Sequence, residues 1–166
     1  MEVGVAGVVR LDRTALHRLS EEAASSPRLR RNLNLHLMED PVHRLFNAIE
    51  PGSYIRPHRH LHPPKTETMV AVAGKLGFLS FGSDGTVDER ILLEAAGDLF
   101  GVDVPPGVWH SFVSLAPGTV VFEAKAGPYA PPGEHDMAAW APPDGDAAAA
   151  RLEAGWREAF LMQVKP

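Results

Sequence analysis

Short apolar runs separated by turn residues fill the middle of the chain, between residues 32 and 126. The breaks contain glycine, which supplies positive φ, and proline, which fixes φ at the values that tight turns need; Asp84-Gly85 is one such break. The pattern predicts strands at residues 42–49, 53–60, 67–73, 76–81, 87–93, 98–104, 108–115 and 119–126. About eight short strands at this spacing are typical of a mainly β sandwich or barrel rather than of a parallel α/β sheet.

A short helix is predicted before the strands, over about residues 12–24. Asp12 can cap its first turn, and Leu16 and Leu19 fall on one face. The sequence Ser25-Ser26-Pro27 ends the helix, because proline disfavours helical geometry in the residue before it.

The composition shifts to proline, alanine and glycine after Pro128. Residues 128–146 are predicted to form an extended surface segment, which we call the strap. A last helix is predicted over residues 147–162, and one of its faces carries Leu152, Trp156, Ala159 and Phe160. This face is expected to pack on the outside of the barrel or on a partner subunit.

The length of 166 residues favours one domain that spans residues 1–166. Within it we distinguish a helical arm over residues 1–31, a β-barrel over 32–127, and the strap with the terminal helix over 128–166.

Charge and composition exclude several classes of protein. The net charge is −5 and no basic run interleaves with aromatic residues, so neither a nucleic acid nor an anionic membrane is expected as a partner. No apolar run approaches the length of a membrane span. The first residues, Met1-Glu2-Val3-Gly4, lack the basic and apolar regions of a secretory signal, and a cytoplasmic location is expected. Cysteine is absent, so a bound metal must be held by nitrogen and oxygen.

Four residues have the types and spacing of a metal site. His58 and His60 are two positions apart, and such residues point to the same face of a β-strand, so both imidazoles can reach one point. Glu67 follows them, and His110 lies in Pro105-Pro106-Gly107-Val108-Trp109-His110. Three histidines and a carboxylate suit one divalent transition metal, such as Zn, Fe, Mn, Ni or Cu. His62 is an alternative ligand to Glu67, although Pro63-Pro64 favours a loop position for it.

The alternation of side chains along a strand predicts which residues surround the metal. If His58 and His60 face inward, so do Arg56 and Tyr54. An inward Arg56 would suit a carboxylate or phosphate on a substrate, whereas the alternative is an exposed charge at the barrel rim. Tyr54 is either a general acid or a packed wall. Arg56 and Tyr54 are therefore the candidate catalytic residues.

Further positions follow from the same parity. Arg44 and Asn47 point to opposite faces of their strand, so at most one of them lines the cavity. Side chains expected to face the same cavity as the ligands are Met69, Ala71, Phe112 and Ser114.

The motifs resemble those of the cupin superfamily. Gly52-x5-His58-x-His60-x6-Glu67-x6-Gly74 resembles the first cupin motif, and Pro105-x-Gly107-x2-His110 resembles the second. The segment from His60 to Glu67 is longer than in the general motif. More narrowly, the chain resembles the WbuC family of cupin-fold metalloproteins. The segments that carry this likeness include Arg31-Asn32-x-Asn34-x-His36, Asp40-Pro41-Val42-x-Arg44-Leu45, Arg56-Pro57-His58-Arg59-His60 and Lys125-x-Gly127-Pro128-Tyr129. The resemblance implies a cupin double-stranded β-helix, or jelly-roll barrel, with short helices at both ends, and a link to surface-polysaccharide metabolism.

Three functions fit this reading. The first is a metal-dependent enzyme, an oxygenase, isomerase or lyase, that acts on a small polar, anionic or sugar-derived substrate. The second is a non-catalytic cupin that binds or senses a small anion or carbohydrate. The third is a metal-free cupin that resembles sugar-nucleotide epimerases, in which a histidine acts as a base; it predicts a histidine–aspartate pair and poor retention of metal. The fold alone does not separate them. A homodimer is expected, and one sheet edge would be covered by the amino-terminal arm or by a partner strand, because an uncovered sheet edge invites association.

Overall fold

The computed structural model describes residues 8–163 of the chain. The start of the predicted arm, with the residues from which the absence of a secretory signal was argued, lies outside this range. In the described part, eight strands form two antiparallel sheets and two helices flank them, so the mainly β prediction is confirmed. None of the helices in residues 8–163 has the length and hydropathy needed to cross a membrane.

One sheet has five strands and the other has three. The larger sheet has the order β1-β2-β8-β3-β6, with β1 Arg30–Asn34, β2 Val42–Ile49, β3 Glu67–Ala73, β6 Gly101–Val104 and β8 Thr119–Ala126. The smaller sheet has the order β5-β4-β7, with β4 Lys75–Phe81, β5 Val87–Glu94 and β7 Trp109–Ser114. All strand pairs are antiparallel.

The main core lies between the two sheets. Alternation along each strand sends every second side chain inward. The buried residues of this core are Ile49, Met69, Ala71, Leu76, Phe78, Leu93, Val104, Phe112 and Val121. The inward positions expected for Met69, Ala71 and Phe112 are confirmed.

Each helix covers the outer face of one sheet. Helix α1, Arg13–Ala24, is capped by Asp12 and packs Leu19 and Ala23 on the larger sheet. Helix α2, Ala147–Gln163, packs Trp156 and Phe160 on the smaller sheet, as its apolar face predicts. The contact is close, because a Cβ on Gly77 of β4 would lie 2.5 Å from the Phe160 ring.

Two segments differ from the predicted elements. Residues 53–60 do not form a regular strand; the chain there is extended and pairs with β7 only at His58. Pro57, which has no backbone N–H, lies within this stretch, so a continuous ladder is not possible there. Conversely, the polar segment of β1, which lies outside the eight predicted strands, forms an edge strand that pairs with β2. Of the two interpretations of Asn32-x-Asn34, strand-edge polar residues or a lid over the barrel mouth, the pairing supports the first.

The strap is held against the barrel rather than lying loose on it. Its residues Asp136 and Ala138 exchange backbone hydrogen bonds with Arg59 and Pro57, at 3.0 and 2.9 Å. A single 3₁₀ turn, Glu134–Asp136, precedes this contact. The strap thereby forms a wall beside the histidine segment.

Candidate metal centre

The four residues proposed as ligands come together at one end of the barrel interior. One potential ligand atom from each of His58, His60, Glu67 and His110 lies within 4.8 Å of the others. Glu67 Oε2 is 3.2 Å from His110 Nε2 and 3.4 Å from His60 Nε2. His110 and Glu67 are buried, whereas His58 and His60 are partly exposed. The cluster is therefore a compact group of three imidazoles and one carboxylate that is reached from one side.

The strands and turns place these side chains. Glu67 begins β3, and His110 follows the turn at Gly107, whose φ of +86° favours glycine. His58 is paired with His110 through two backbone hydrogen bonds of 3.0 and 2.9 Å. The two cupin-like motifs, far apart in sequence, are thereby joined at their histidines.

Backbone carbonyls set the tautomers of two histidines. His58 Nδ1 lies 3.0 Å from the Arg56 carbonyl oxygen, and His110 Nδ1 lies 2.9 Å from that of Val108. A carbonyl only accepts, so each Nδ1 carries the hydrogen and each Nε2 keeps a lone pair. Burial lowers the pKa of His58 to about 3, with the charge of His110 as a further cause, so this ring stays neutral. Neutral imidazoles oriented in this way are the form that binds a metal.

The residues present fit a metal. His60 Nε2 is buried and makes no hydrogen bond to a described residue, although it faces Glu67. A buried nitrogen without a partner is costly, and a metal at the centre of the four atoms would satisfy it. The set contains only nitrogen and oxygen donors, which suits a divalent transition metal.

A lysine holds the other oxygen of the Glu67 carboxylate. Lys125 Nζ donates to Glu67 Oε1 at 2.5 Å and lies 3.6 Å from Glu123 Oε2. Burial raises the pKa of Glu67, but the charge of Lys125, together with the nearby side chains of His110 and His60, outweighs burial and holds this pKa well below its usual range. Burial and the charge of Glu67 raise the pKa of Glu123.

Sequence reasoning missed Lys125 and Glu123 as functional residues. Both occupy inward positions of β8, in register with Glu67 and Met69 of β3. The sequence signal that could have found them is a pair of charged residues at alternate positions of an otherwise apolar strand. Charged residues are rarely buried unless they are paired. Asn47 is also inward and donates to Glu123 Oε1 at 2.9 Å, whereas Arg44 is exposed, so only one of this pair faces the interior as expected.

A cavity of about 430 Å³ opens beside the histidines. Its lining includes His58 and His60, and the strap contributes Tyr129 and Asp136. The cationic side chains that line it are Arg28, Arg30, Arg56, Arg59, Lys65 and Lys125, against only two carboxylates, Asp136 and Asp144. The cavity is therefore electropositive, and it suits an anion.

Arg56 lies in this cavity without a carboxylate partner among the described residues. Its Nε and Nη2 both donate to the Ala138 carbonyl oxygen of the strap, at 3.2 and 2.7 Å. By contrast, Arg30 pairs with Asp144 at 2.9 Å and Arg59 with Asp136 at 3.4 Å. The guanidinium of Arg56 is thus fixed in place while its charge remains uncompensated.

Tyr54 does not face the ligand atoms, so the parity expectation for this residue is wrong. Its side chain packs with Trp156 and Val113 on the outer face of the smaller sheet, and its hydroxyl donates to the Pro142 carbonyl oxygen at 2.9 Å. Burial raises the pKa of Tyr54 to about 12. The alternation failed because residues 53–60 are not a regular strand, and Tyr54 is placed as a packed wall.

His62 lies outside the group of four potential ligands. Its Nδ1 is 3.1 Å from Asp136 Oδ1, and its backbone N–H donates to Asp136 Oδ2 at 3.0 Å. The side chain is 61% exposed, at the rim of the cavity. His62 therefore forms a histidine–aspartate pair next to the candidate metal centre.

The sequence matches a family described as a domain of unknown function, DUF6016, over residues 11–93, which is half of the chain. The chain belongs to this family. No curated protein matches it significantly.

The DUF6016 chain is similar in fold to several solved structures. A conserved protein of unknown function from Streptococcus pyogenes, SPY1581, is 11% identical, with a TM-score of 0.51 over 76% of this chain and 93% of that one. KdgF from a Halomonas species is 19% identical, with a TM-score of 0.49 over 63% and 84%. A cupin-superfamily sugar phosphate isomerase from Silicibacter pomeroyi is 19% identical, with a TM-score of 0.46 over 59% of each chain. Two antiparallel sheets flanked by two helices agree with the predicted jelly-roll barrel. At these identities, the likeness to the solved structures concerns the fold alone.

Proposed function

We propose that this chain is a metal-dependent cupin enzyme that acts on a small anionic or sugar-derived substrate. The observation that carries the proposal is the convergence of three imidazoles and the Glu67 carboxylate beside an electropositive cavity. A metal held by His58, His60, Glu67 and His110 would supply Lewis acidity or activate water or O₂. This chemistry is compatible with an oxygenase, an isomerase or a lyase.

The residues of the chain would bind and orient the substrate. Arg56, fixed by the Ala138 carbonyl oxygen, offers its charge to a carboxylate or phosphate group. Lys125 holds Glu67 so that its other oxygen faces the histidines. The strap excludes bulk water from one side of the cavity.

Elemental analysis tests the metal. Protein purified without added metal is expected to contain about one transition-metal ion per chain. His110→Gln should lose most of it, because this buried ring lies 3.2 Å from Glu67. His17→Gln is the matched control, since His17 lies on α1 with an 81% exposed side chain. Wild-type protein that stays metal-free after incubation with Zn, Fe, Mn and Ni salts would contradict the proposal that these four residues bind a metal.

Substitution of Arg56 tests the anion site. Arg56→Ala should weaken the binding of inorganic phosphate and of small carboxylates by about tenfold while the metal content stays unchanged. Arg151→Ala on exposed α2 serves as the control for the loss of one positive charge. Loss of the metal in Arg56→Ala, or unchanged anion binding, would show that Arg56 does not bind the anionic group of a substrate.

The same experiments distinguish the proposed enzyme from two alternative functions. A non-catalytic binding cupin would bind metal and anion in these experiments yet turn over none of the compounds that bind. The metal-free alternative, in which a histidine acts as a base, gains support from the pair of His62 and Asp136 at 3.1 Å. That alternative requires activity to survive His110→Gln and to be lost in His62→Gln.

The finer assignments made from the sequence are part of this proposal. They are membership in a WbuC-like group, a link to surface-polysaccharide metabolism, a single domain over residues 1–166, a cytoplasmic location and a homodimer. Light scattering tests the last of these, and a monomer at high protein concentration would contradict it.

A further inference from the structure

A second cavity, of about 420 Å³, borders His58 and Glu67 of the candidate metal centre. It shares His58, Arg30 and Lys125 with the electropositive cavity, and it adds Asn47 and Glu123 from the barrel interior. Ile55 and Phe112 are the apolar members of its lining, and the others are polar or charged. A ligand at the metal could therefore extend into either cavity.

The cations of this second cavity are already paired. Arg28 and Arg30 share Asp144, at 3.9 and 2.9 Å, and Arg31 pairs with Glu22 at 3.4 Å. Lys125 lies between Glu67 and Glu123. The second cavity thus differs from the first, where the charge of Arg56 is uncompensated.

The second cavity contains acceptor oxygens, on Glu123 and Asn47, that have no hydrogen-bond donor among the described residues. Glu123 Oε1 accepts a hydrogen bond from the Asn47 amide. Glu123 Oε2 is 3.6 Å from Lys125 Nζ, which is beyond hydrogen-bond distance. Asn47 Oδ1 is buried and accepts no hydrogen bond from a described residue. A carboxylate only accepts, so a ligand at this place must bring donors. A second anionic group would be repelled by Glu123 and Glu67.

We infer that Asn47 and Glu123 form a hydroxyl-binding subsite, and that the ligand of this protein is a polyhydroxylated acid. Its acidic end would face the metal and Arg56, and its hydroxyl groups would donate to Glu123 and Asn47. The inference rests on the proposed function, because it assigns the hydroxyl-bearing part of a ligand whose anionic part the metal and Arg56 bind. Hydroxyl recognition by a buried carboxylate is selective, because an analogue without the hydroxyl leaves the acceptor unpaired.

Gluconate and 2-hydroxyhexanoate are suitable probes for calorimetry with the metal-loaded protein. Both keep the carboxylate and the adjacent hydroxyl that chelate a metal, and only gluconate has the remaining hydroxyls. The wild-type protein should bind gluconate at least about tenfold more tightly. Glu123→Gln and Asn47→Leu should each reduce this preference to about threefold or less, with metal content and 2-hydroxyhexanoate binding unchanged. Asn34→Ala, on β1 and outside the cavity lining, should keep the full preference.

The results separate the subsite from the proposed function. Equal affinity of the wild-type protein for the two acids, including no binding of either, overturns the subsite, and so does a full preference for gluconate in both Glu123→Gln and Asn47→Leu. Arg56→Ala should weaken both acids alike. If it weakens neither, or if the protein holds no metal, the proposed function fails, whatever the ratio between the two acids.

Discussion

Lys125 Nζ donates to Glu67 Oε1 at 2.5 Å, while Oε2 of the same carboxylate lies 3.2 Å from His110 Nε2. One carboxylate therefore links a buried cation to the group of histidines. The strand register makes this link, because Glu67 of β3 is directly opposite Lys125 of β8. Lys125 fixes which oxygen of Glu67 is directed at a metal.

Replacement of Lys125 should weaken metal binding without removing a ligand. Lys125→Met is expected to lower metal affinity by about 10- to 100-fold, the range typical of lost outer partners of metal ligands. It should also lower the free energy of unfolding of the metal-free protein by about 3 kcal/mol, because two buried carboxylates lose their counter-ion. Competition with a chelator measures the affinity, and urea unfolding measures the stability.

Lys75→Met is the matched control for Lys125→Met. Lys75 pairs with Glu94 on the surface, and its side chain is 54% exposed. Screening by solvent makes such a pair weak, so neither the metal affinity nor the unfolding free energy should change appreciably. Unchanged metal affinity in Lys125→Met would show that Glu67 is oriented without the lysine.

The metal-free protein should lose stability as the pH falls, and His58 should be one cause. Burial lowers the pKa of His58 from its ordinary 6.5 to about 3. Between these values the unfolded chain binds the proton and the folded protein does not, so acid favours unfolding. The contribution of this ring is about 1.4 kcal/mol per pH unit at most, present above pH 6.5 and lost towards pH 3. Urea unfolding at several pH values should give a flatter profile for His58→Gln. Parallel profiles for the two proteins would contradict the prediction.

Two glycines should respond oppositely to the same substitution. Gly77→Ala would place a Cβ 2.5 Å from the Phe160 ring, so α2 must shift, and the free energy of unfolding should fall by about 1–3 kcal/mol. Gly155→Ala lies in α2 with nothing within 4 Å of the added Cβ, and it should raise stability by about 1 kcal/mol through helix propensity. Thermal unfolding of the two variants measures both signs. A stable Gly77→Ala would show that α2 is not seated on β4 as described.

Asp136 should stabilise the contact between the strap and the histidine segment, and thereby support metal binding. This buried carboxylate accepts the His62 backbone N–H and ring Nδ1 at 3.0 and 3.1 Å and pairs with Arg59 at 3.4 Å, so it holds the residues on either side of His60. Asp136→Ala is expected to lower the unfolding free energy by about 1–3 kcal/mol and to weaken metal binding. Asp98→Ala, at an exposed position, is the control. Normal metal binding in Asp136→Ala would mean that β7 alone places the histidines.

The sequence predicted the fold and the ligand group because both depend on local patterns. Alternation and turn residues located seven of the strands. The spacing of His58 and His60, taken together with Glu67 and the distant motif that ends at His110, predicted the group of four candidate ligands that the structure brings together. Tyr54 was misplaced because parity holds only in a regular strand, and the extended segment around Pro57 is not one. Lys125 and Glu123 were missed because their role depends on the register between β3 and β8, which no local pattern specifies.

The barrel supplies the candidate metal ligands, and the strap supplies part of the cavity wall. This separation has a consequence for how the protein could diversify. The four candidate ligands lie between residues 58 and 110, whereas Tyr129, Asp136 and the carbonyl oxygen that fixes Arg56 come from the strap. Insertions or substitutions between residues 128 and 135 would reshape the mouth of the cavity without moving a ligand. Ligand choice could therefore evolve, or be engineered, by exchange of this one segment while the metal chemistry is inherited unchanged.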